Sequence, residues 1–211
     1  MAKEVYPATL TIDYPKRLDR LTSFFRIITV IPIAIVLMVL IGAYGDSHVN
    51  EAGQRVAANT GGITVGLAAA TALMIIFRQR YPRWWFDFAL ELNRFTTRVS
   101  AYLLLLTDTY PSTTDEQSVH MDLRYPDAER DLNRWLPLVK WFLAIPHYFV
   151  LLVLSIAAFL AVIIAWFAIL FTGHYPKSLF DFVVGVMRWD WRVTAYAFLL
   201  ATDEYPPFSL K

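Results

Sequence analysis

The stretch "YPKSLFDF" at residues 175–182 repeats the frame "YPRWWFDF" at residues 81–88. Proline drives the residue before it out of helical geometry, so each copy reads as a turn running into a new helix. The correspondence extends in both directions. "RFTTRVSAYLLLLTDTYP" (94–111) lines up with "RWDWRVTAYAFLLATDEYP" (188–206), with one extra residue before the second "TD". Upstream, "LDRLTSFFRIITVIP" (18–32) lines up with "LNRWLPLVKWFLAIP" (132–146), matching Leu18 with Leu132, Arg20 with Arg134, Arg26 with Lys140 and Ile31-Pro32 with Ile145-Pro146. The chain reads as one membrane domain, 1–211, made of two tandem units: unit one 6–111, a linker 112–123 and unit two 124–211. Internal repeats in membrane proteins commonly give two similar bundles related by a pseudo-two-fold axis.

The membrane assignment rests on composition. Of 211 residues, 57% are hydrophobic and 18% charged, and the mean hydropathy is +0.44, whereas soluble domains carry about one quarter charged residues. Residues 27–45, 63–77 and 141–171 contain no Asp, Glu, Lys or Arg, and the last run exceeds the roughly 20 residues that cross a bilayer. The N-terminal "MAKEVYPATLTIDYPKR" lacks a short apolar run with a cleavage site, so a removable signal peptide is not expected. With no cysteine, disulfides, thiolate metal sites and a cysteine nucleophile are excluded. A formal charge of +1 gives no support for a nucleic-acid surface.

Within unit one, Leu18, Leu21, Phe25 and Ile28 recur at helical steps while Arg20 and Arg26 fall on other faces, predicting an amphipathic interfacial helix. The Ile-Pro pair predicts a bend and the apolar runs after it predict helices. The last part of each unit predicts another helix, about 84–106 and 178–201. Asp87, Glu91, Arg94 and Arg98 share a narrow arc of the first, as do Asp181, Arg188 and Arg192 of the second. Phe88, Leu92, Phe95, Val99 and Tyr102 oppose the first stripe; Phe182, Val186, Trp189, Val193 and Tyr196 oppose the second. The stripes read either as the lining of a polar path, with Asp87–Arg94 and Asp181–Arg188 coupled, or as a face turned to water and lipid phosphates; the second reading is preferred.

Basic residues set the expected orientation. The loop 44–62 has one, Arg55, whereas 1–26 and 78–98 have five each, 124–140 four and 177–192 three. Both ends of each unit and the linker are then cytoplasmic, loop 44–62 is outside, and each unit crosses twice as a proline-bent hairpin. Unit two strains this scheme: Pro32 and Tyr81 are 49 positions apart, Pro146 and Tyr175 only 29. Its hairpin over 138–171 must be short, or 147–171 is one long span.

The signature "YPKSLFDFVVGVMRWDWRVTAYAFLLATDEYPPFSL" (175–210) resembles a bacterial integral-membrane family of the DUF4389 type, a domain of unknown function, and the tandem arrangement resembles that family across nearly the whole chain. The resemblance implies a membrane fold and brings no substrate, cofactor or catalytic residue. The first copy departs from the pattern with Trp84-Trp85 where the second has Ser178-Leu179.

Chemistry is sparse. His147 and His174 flank the longest apolar run and, on one helix, stand about 40 Å apart, too far to share an ion. His48 and His120 lie in polar loops. No phosphate-cradling glycine loop, HExxH or GxSxG occurs. Asp108 and Asp203, each in a "TD-x-YP" ending, read as helix-ending turns rather than as a carboxylate pair. Trp84, Trp85, Trp135, Trp141, Trp189 and Trp191 read as an interfacial belt. Tyr81, Pro82, Tyr175 and Pro176 read as repeat-motif turns. The expectation is an all-α, multi-pass inner-membrane protein with no catalytic residue, cofactor or metal. It acts as a non-enzymatic scaffold or accessory subunit whose partners are the bilayer, anionic lipid and other membrane subunits or further copies of itself. A channel or transporter lined by the duplicated Asp/Arg stripes is the alternative.

Overall fold

The structure, a computed structural model, describes residues 6–41, 46–49, 55–58, 63–113, 115 and 117–211. It is mostly helical, but not all-α. A strand β1 (Ala8–Ile12) is followed by α1 (Arg20–Phe24) and α2 (Arg26–Ile41), a short strand pair β2 (Asp46–Val49) and β3 (Arg55–Ala58), then α3 (Ile63–Arg78) and α4 (Arg83–Leu103). The chain continues through β4 (Val119–Leu123), α5 (Pro137–Leu143), α6 (Ile145–Thr172) and α7 (Lys177–Ala197). Apart from β2 and β3, the expected outer loop 44–62 lies outside the described residues.

The expected linker 112–123 contains a strand. "VHMDL" of β4 and "ATLTI" of β1 both alternate buried and exposed, the two-residue period of a half-covered strand. They pair antiparallel, Leu10 opposite Met121 and Ile12 opposite Val119. β1 then packs on α7, and β4 on α4.

The same exchange recurs at every joint. Tyr14 donates its hydroxyl proton to the Tyr175 carbonyl, and Tyr125 donates to that of Tyr81. Leu18 N–H donates to the Gly173 carbonyl (3.0 Å) at the end of α6. Arg134, before α5, donates to the carbonyls of Ile76 and Phe77 at the end of α3. The opening elements of each half thus rest on the closing elements of the other.

α6 corrects the hairpin expected over 138–171. It is one 28-residue helix, about 42 Å long, and among the described residues it alone is long and apolar enough to cross a membrane. No glycine or polar turn interrupts its run, so a continuous helix satisfies every backbone group until Gly173 ends it in the left-handed conformation (φ 76°). Pro146 lies in its first turn, where no hydrogen bond is lost, whereas Pro32 lies inside α2. The Ile-Pro pair therefore marks a helix start in one half and an interior position in the other. α6 turns Leu151, Ala158, Ala161, Ala165 and Ile169 inward, a stripe whose small residues let α7 approach closely.

The first helices turn apolar side chains outward and polar ones inward. Leu21 is 68% exposed, with Phe25 and Ile28 also open, while Ser23 and Arg26 are buried. α5 does the same: Trp141 and Phe142 are exposed and Lys140 is wholly buried. Across α1, α2, α3, α5 and α6 the outward surface is made of large apolar side chains.

Candidate functional site

Two buried cations define the interior polar architecture. Arg26, at the start of α2, forms an ion pair with Asp108 and donates through Nη1 to the Thr107 carbonyl (2.9 Å). Its guanidinium carbon lies 4.0 Å from the Tyr102 ring centroid. Lys140 repeats the set: its Nζ is 2.7 Å from the Asp203 carboxylate, donates to the Thr202 carbonyl (2.7 Å) and lies 5.2 Å from the Tyr196 ring centroid. Each aspartate also accepts a backbone N–H, Asp108 from Asp19 (2.7 Å) and Asp203 from Asn133 (2.6 Å). Asp108 and Asp203 do follow helix ends, as expected of turns, yet they also fix the first helix of their half. The signal lay in the matched Arg26 and Lys140, whose cations need exactly one nearby anion when buried.

The charged stripes are not coupled as expected. Asp87 pairs with Arg83 (3.3 Å) and Asp181 with Lys177 (2.9 Å), all at exposed helix starts. Arg94 pairs with Glu91 (2.6 Å) and donates through Nε to the Met121 carbonyl (3.0 Å), while Arg188 donates through Nε to the Leu10 carbonyl (2.9 Å). Leu10 and Met121 are register partners, so one arginine from each stripe holds the centre of the sheet from each side. Arg98 and Arg192 are buried and donate to the carbonyls of Ser112 and Ser209. All four arginines thus donate to backbone carbonyls.

The turn residues have definite tasks. Pro82 and Pro176 occupy the caps from which α4 and α7 begin. Tyr81 donates its hydroxyl proton to the Leu199 carbonyl (2.9 Å), and burial raises the pKa of Tyr81 and of Tyr175.

A cavity of about 440 Å³ opens between α4, α7 and the middle of α6. Its rim pairs residues that the sequence alignment equates, Thr96 with Asp190 and Ser100 with Thr194. Asp190 lines this cavity with its side chain exposed at the opening, and it has no hydrogen bond or ion pair among the described residues. Sequence reading passed over it, because between Arg188 and Arg192 it looks like one more charge in a stripe.

His147 and His174 lie at opposite ends of α6. His147 accepts from Trp189 Nε1 (3.0 Å) at Nδ1 and stacks on Phe208, with ring centroids 4.0 Å apart; His174 Nδ1 meets the Thr172 carbonyl. Trp84, Trp135 and Trp141 are exposed as a belt requires, but Trp189 and Trp191 are buried, which removes those two from it. Among the described residues, no three His, Cys, Asp or Glu side chains gather as a metal site. Neither a curated protein nor a solved structure matches the chain. Residues 135–209, which carry α5, α6, α7 and the tail against His147, match the family model described as a domain of unknown function (DUF4389).

Proposed function

We propose that this protein is a non-enzymatic, integral inner-membrane scaffold or accessory subunit built from two tandem units. Its helix layer α1, α2, α3, α5 and α6 sits in lipid, with the sheet β1–β4 and the charged edges of α4 and α7 toward water. The observation that carries the reading is the inverted burial of that layer: Ser23, Arg26, Lys140 and His147 are inside, while Leu21, Phe142, Phe149 and Leu160 are outside. Water would drive the opposite arrangement, and an apolar surface this continuous needs lipid or protein to cover it. Two buried clusters of the same composition, joined by exchanged strands, support the two-unit reading. Exposed Trp84, Trp135 and Trp141, with exposed Arg83 next to Trp84 in the chain, suit anionic headgroups. Further membrane subunits or a second copy are the protein partners this surface would take. Against the channel alternative stand the stripe arginines, whose donors are bound to backbone carbonyls.

The absence of cysteine allows a direct test. Single cysteines at Phe149 and Leu160, in vesicles, should resist a water-soluble maleimide, while cysteines at Asp87 and His120 should react quickly. Equal reactivity at all four positions would remove the lipid seating. In liposomes the protein should pass no ions above protein-free vesicles; saturable flux lost in Asp87→Asn with Asp181→Asn would replace the scaffold by the channel.

A further inference from the structure

The cavity between α4, α7 and α6 carries an unused negative charge. Asp190 has no partner among the described residues, and its sequence neighbours Arg188 and Arg192 are engaged elsewhere, with Leu10, Leu210, Ser209 and Lys211 carbonyls. Of the polar groups that line the cavity with it, Thr96 gives its hydroxyl proton to the Leu92 carbonyl (2.8 Å) and Asn93 gives one amide proton to the Ala89 carbonyl (2.8 Å). Thr96 keeps its hydroxyl lone pairs and Asn93 its amide oxygen, and the hydroxyls of Ser100, Ser155 and Thr194 add to the polar lining. The larger part of the wall is apolar, including Phe159 from α6 and Met187 from α7. A lone carboxylate among hydroxyl and amide oxygens calls for a compact cation with several N–H donors, and the apolar wall calls for a hydrocarbon body attached to it. A hard divalent ion would want more oxygen ligands and more than one charge. The volume of about 440 Å³ falls within the range of small-ligand sites.

We propose that this cavity binds a protonated primary amine with an apolar chain, its ammonium on Asp190 with Thr96 and Asn93, and its chain against Phe159 and Met187. A free alkylamine and the ethanolamine headgroup of a phospholipid share this chemistry. The site lies where the two halves meet, so an occupant would bridge α4 and α7.

The whole protein in detergent, titrated calorimetrically with hexylammonium chloride, should show saturable binding. 1-Hexanol, of matching length but uncharged, should bind at least ~10-fold more weakly, and this comparison needs no variant. Asp190→Asn should lower hexylammonium affinity at least ~10-fold with the melting temperature kept. Ser100→Leu, which fills the cavity without touching the carboxylate, should abolish the binding. Hexanol binding as tightly as the amine, undiminished affinity in folded Asp190→Asn, or the same heat from sodium or calcium chloride at equal ionic strength would each overturn the proposal. In nanodiscs, competition by phosphatidylethanolamine but not phosphatidylcholine assigns the site to the lipid, and its absence assigns it to a free amine; both results keep the amine site.

Discussion

Arg26 with Asp108 and Lys140 with Asp203 are built from the same parts: a buried cation, an aspartate, a threonine carbonyl and a tyrosine ring. They differ in the cation. Arginine keeps its charge throughout the accessible pH range and lays a flat group over Tyr102, whereas lysine is a point charge that can shed its proton when its surroundings disfavour charge. One cluster is therefore permanently ionic, and the other can become neutral.

The largest expected effect breaks this comparison directly. Asp108→Asn and Asp203→Asn each leave a buried cation without its anion and should each cost about 3 kcal/mol of unfolding free energy at neutral pH, read by denaturant titration. The two should then diverge. A buried lysine left without its anion favours the neutral form. The unfolded chain then holds more protons than the folded one below the ordinary value of 10.5, so stability should rise as pH climbs from about 7 to about 9.5. Asp108→Asn should show no such recovery, and equal recovery in both would show that the cation's identity is not the cause. The window stops below the ordinary tyrosine value of 10.0, above which the raised pKa values of Tyr81 and Tyr175 would make stability fall.

The next effect sharpens the likeness between the halves. Arg94→Ala and Arg188→Ala should each cost about 1.5–3 kcal/mol, the range for hydrogen bonds from charged donors. Arg188→Ala should cost more, since Arg188 also holds the Leu210 carbonyl (3.1 Å). Hydrogen exchange of the sheet amides between Leu10 and Met121 should quicken in both; slow exchange in either variant would mean that the sheet does not depend on its clamps.

The smallest effect concerns helix ends that align. Gln79 after α3 and Gly173 after α6 both have positive φ, 46° and 76°. Gln79→Gly should stabilise by about 1 kcal/mol and Gly173→Ala should destabilise by about the same. A Cβ added at Gly173 would meet Arg20 Nε at 3.7 Å and the Leu18 carbonyl oxygen at 3.8 Å, ordinary contact distances without a clash, so backbone conformation should decide the sign. A loss of stability in Gln79→Gly would show that the glutamine side chain contributes something its glycine counterpart does not need.

The paired turns and the starts of α4 and α7 were legible because prolines are local signals, and the long charge-free run announced helix in the second half without saying that it is unbroken. Partners were not. A five-residue alternation such as "VHMDL" is too short to stand out from polar surroundings, and its partner "ATLTI" lies more than a hundred positions upstream. Periodicity showed that Leu21, Phe25 and Ile28 share a face, but not which side of it the rest of the chain covers. The interior cations were aligned correctly in sequence, yet Asp108 and Asp203 became their counter-ions only through tertiary contacts. Asp190 was hidden for the opposite reason: its neighbours in sequence are charged, and its neighbours in space are not.

The placement of β1 has a consequence for biosynthesis. It is the earliest described element to leave the ribosome, yet the two surfaces that hold it, β4 and α7, are made much later, and α7 is the last helix of all. Through most of translation the segment "ATLTI" has unpaired backbone groups and an uncovered apolar edge, the state in which strands recruit wrong partners. Closure waits until Arg188 can reach the Leu10 carbonyl. A ribosome stalled before α7 should therefore display a protease-sensitive N-terminal segment, and the emergence of α7, rather than completion of the first half, should be the moment at which it becomes resistant.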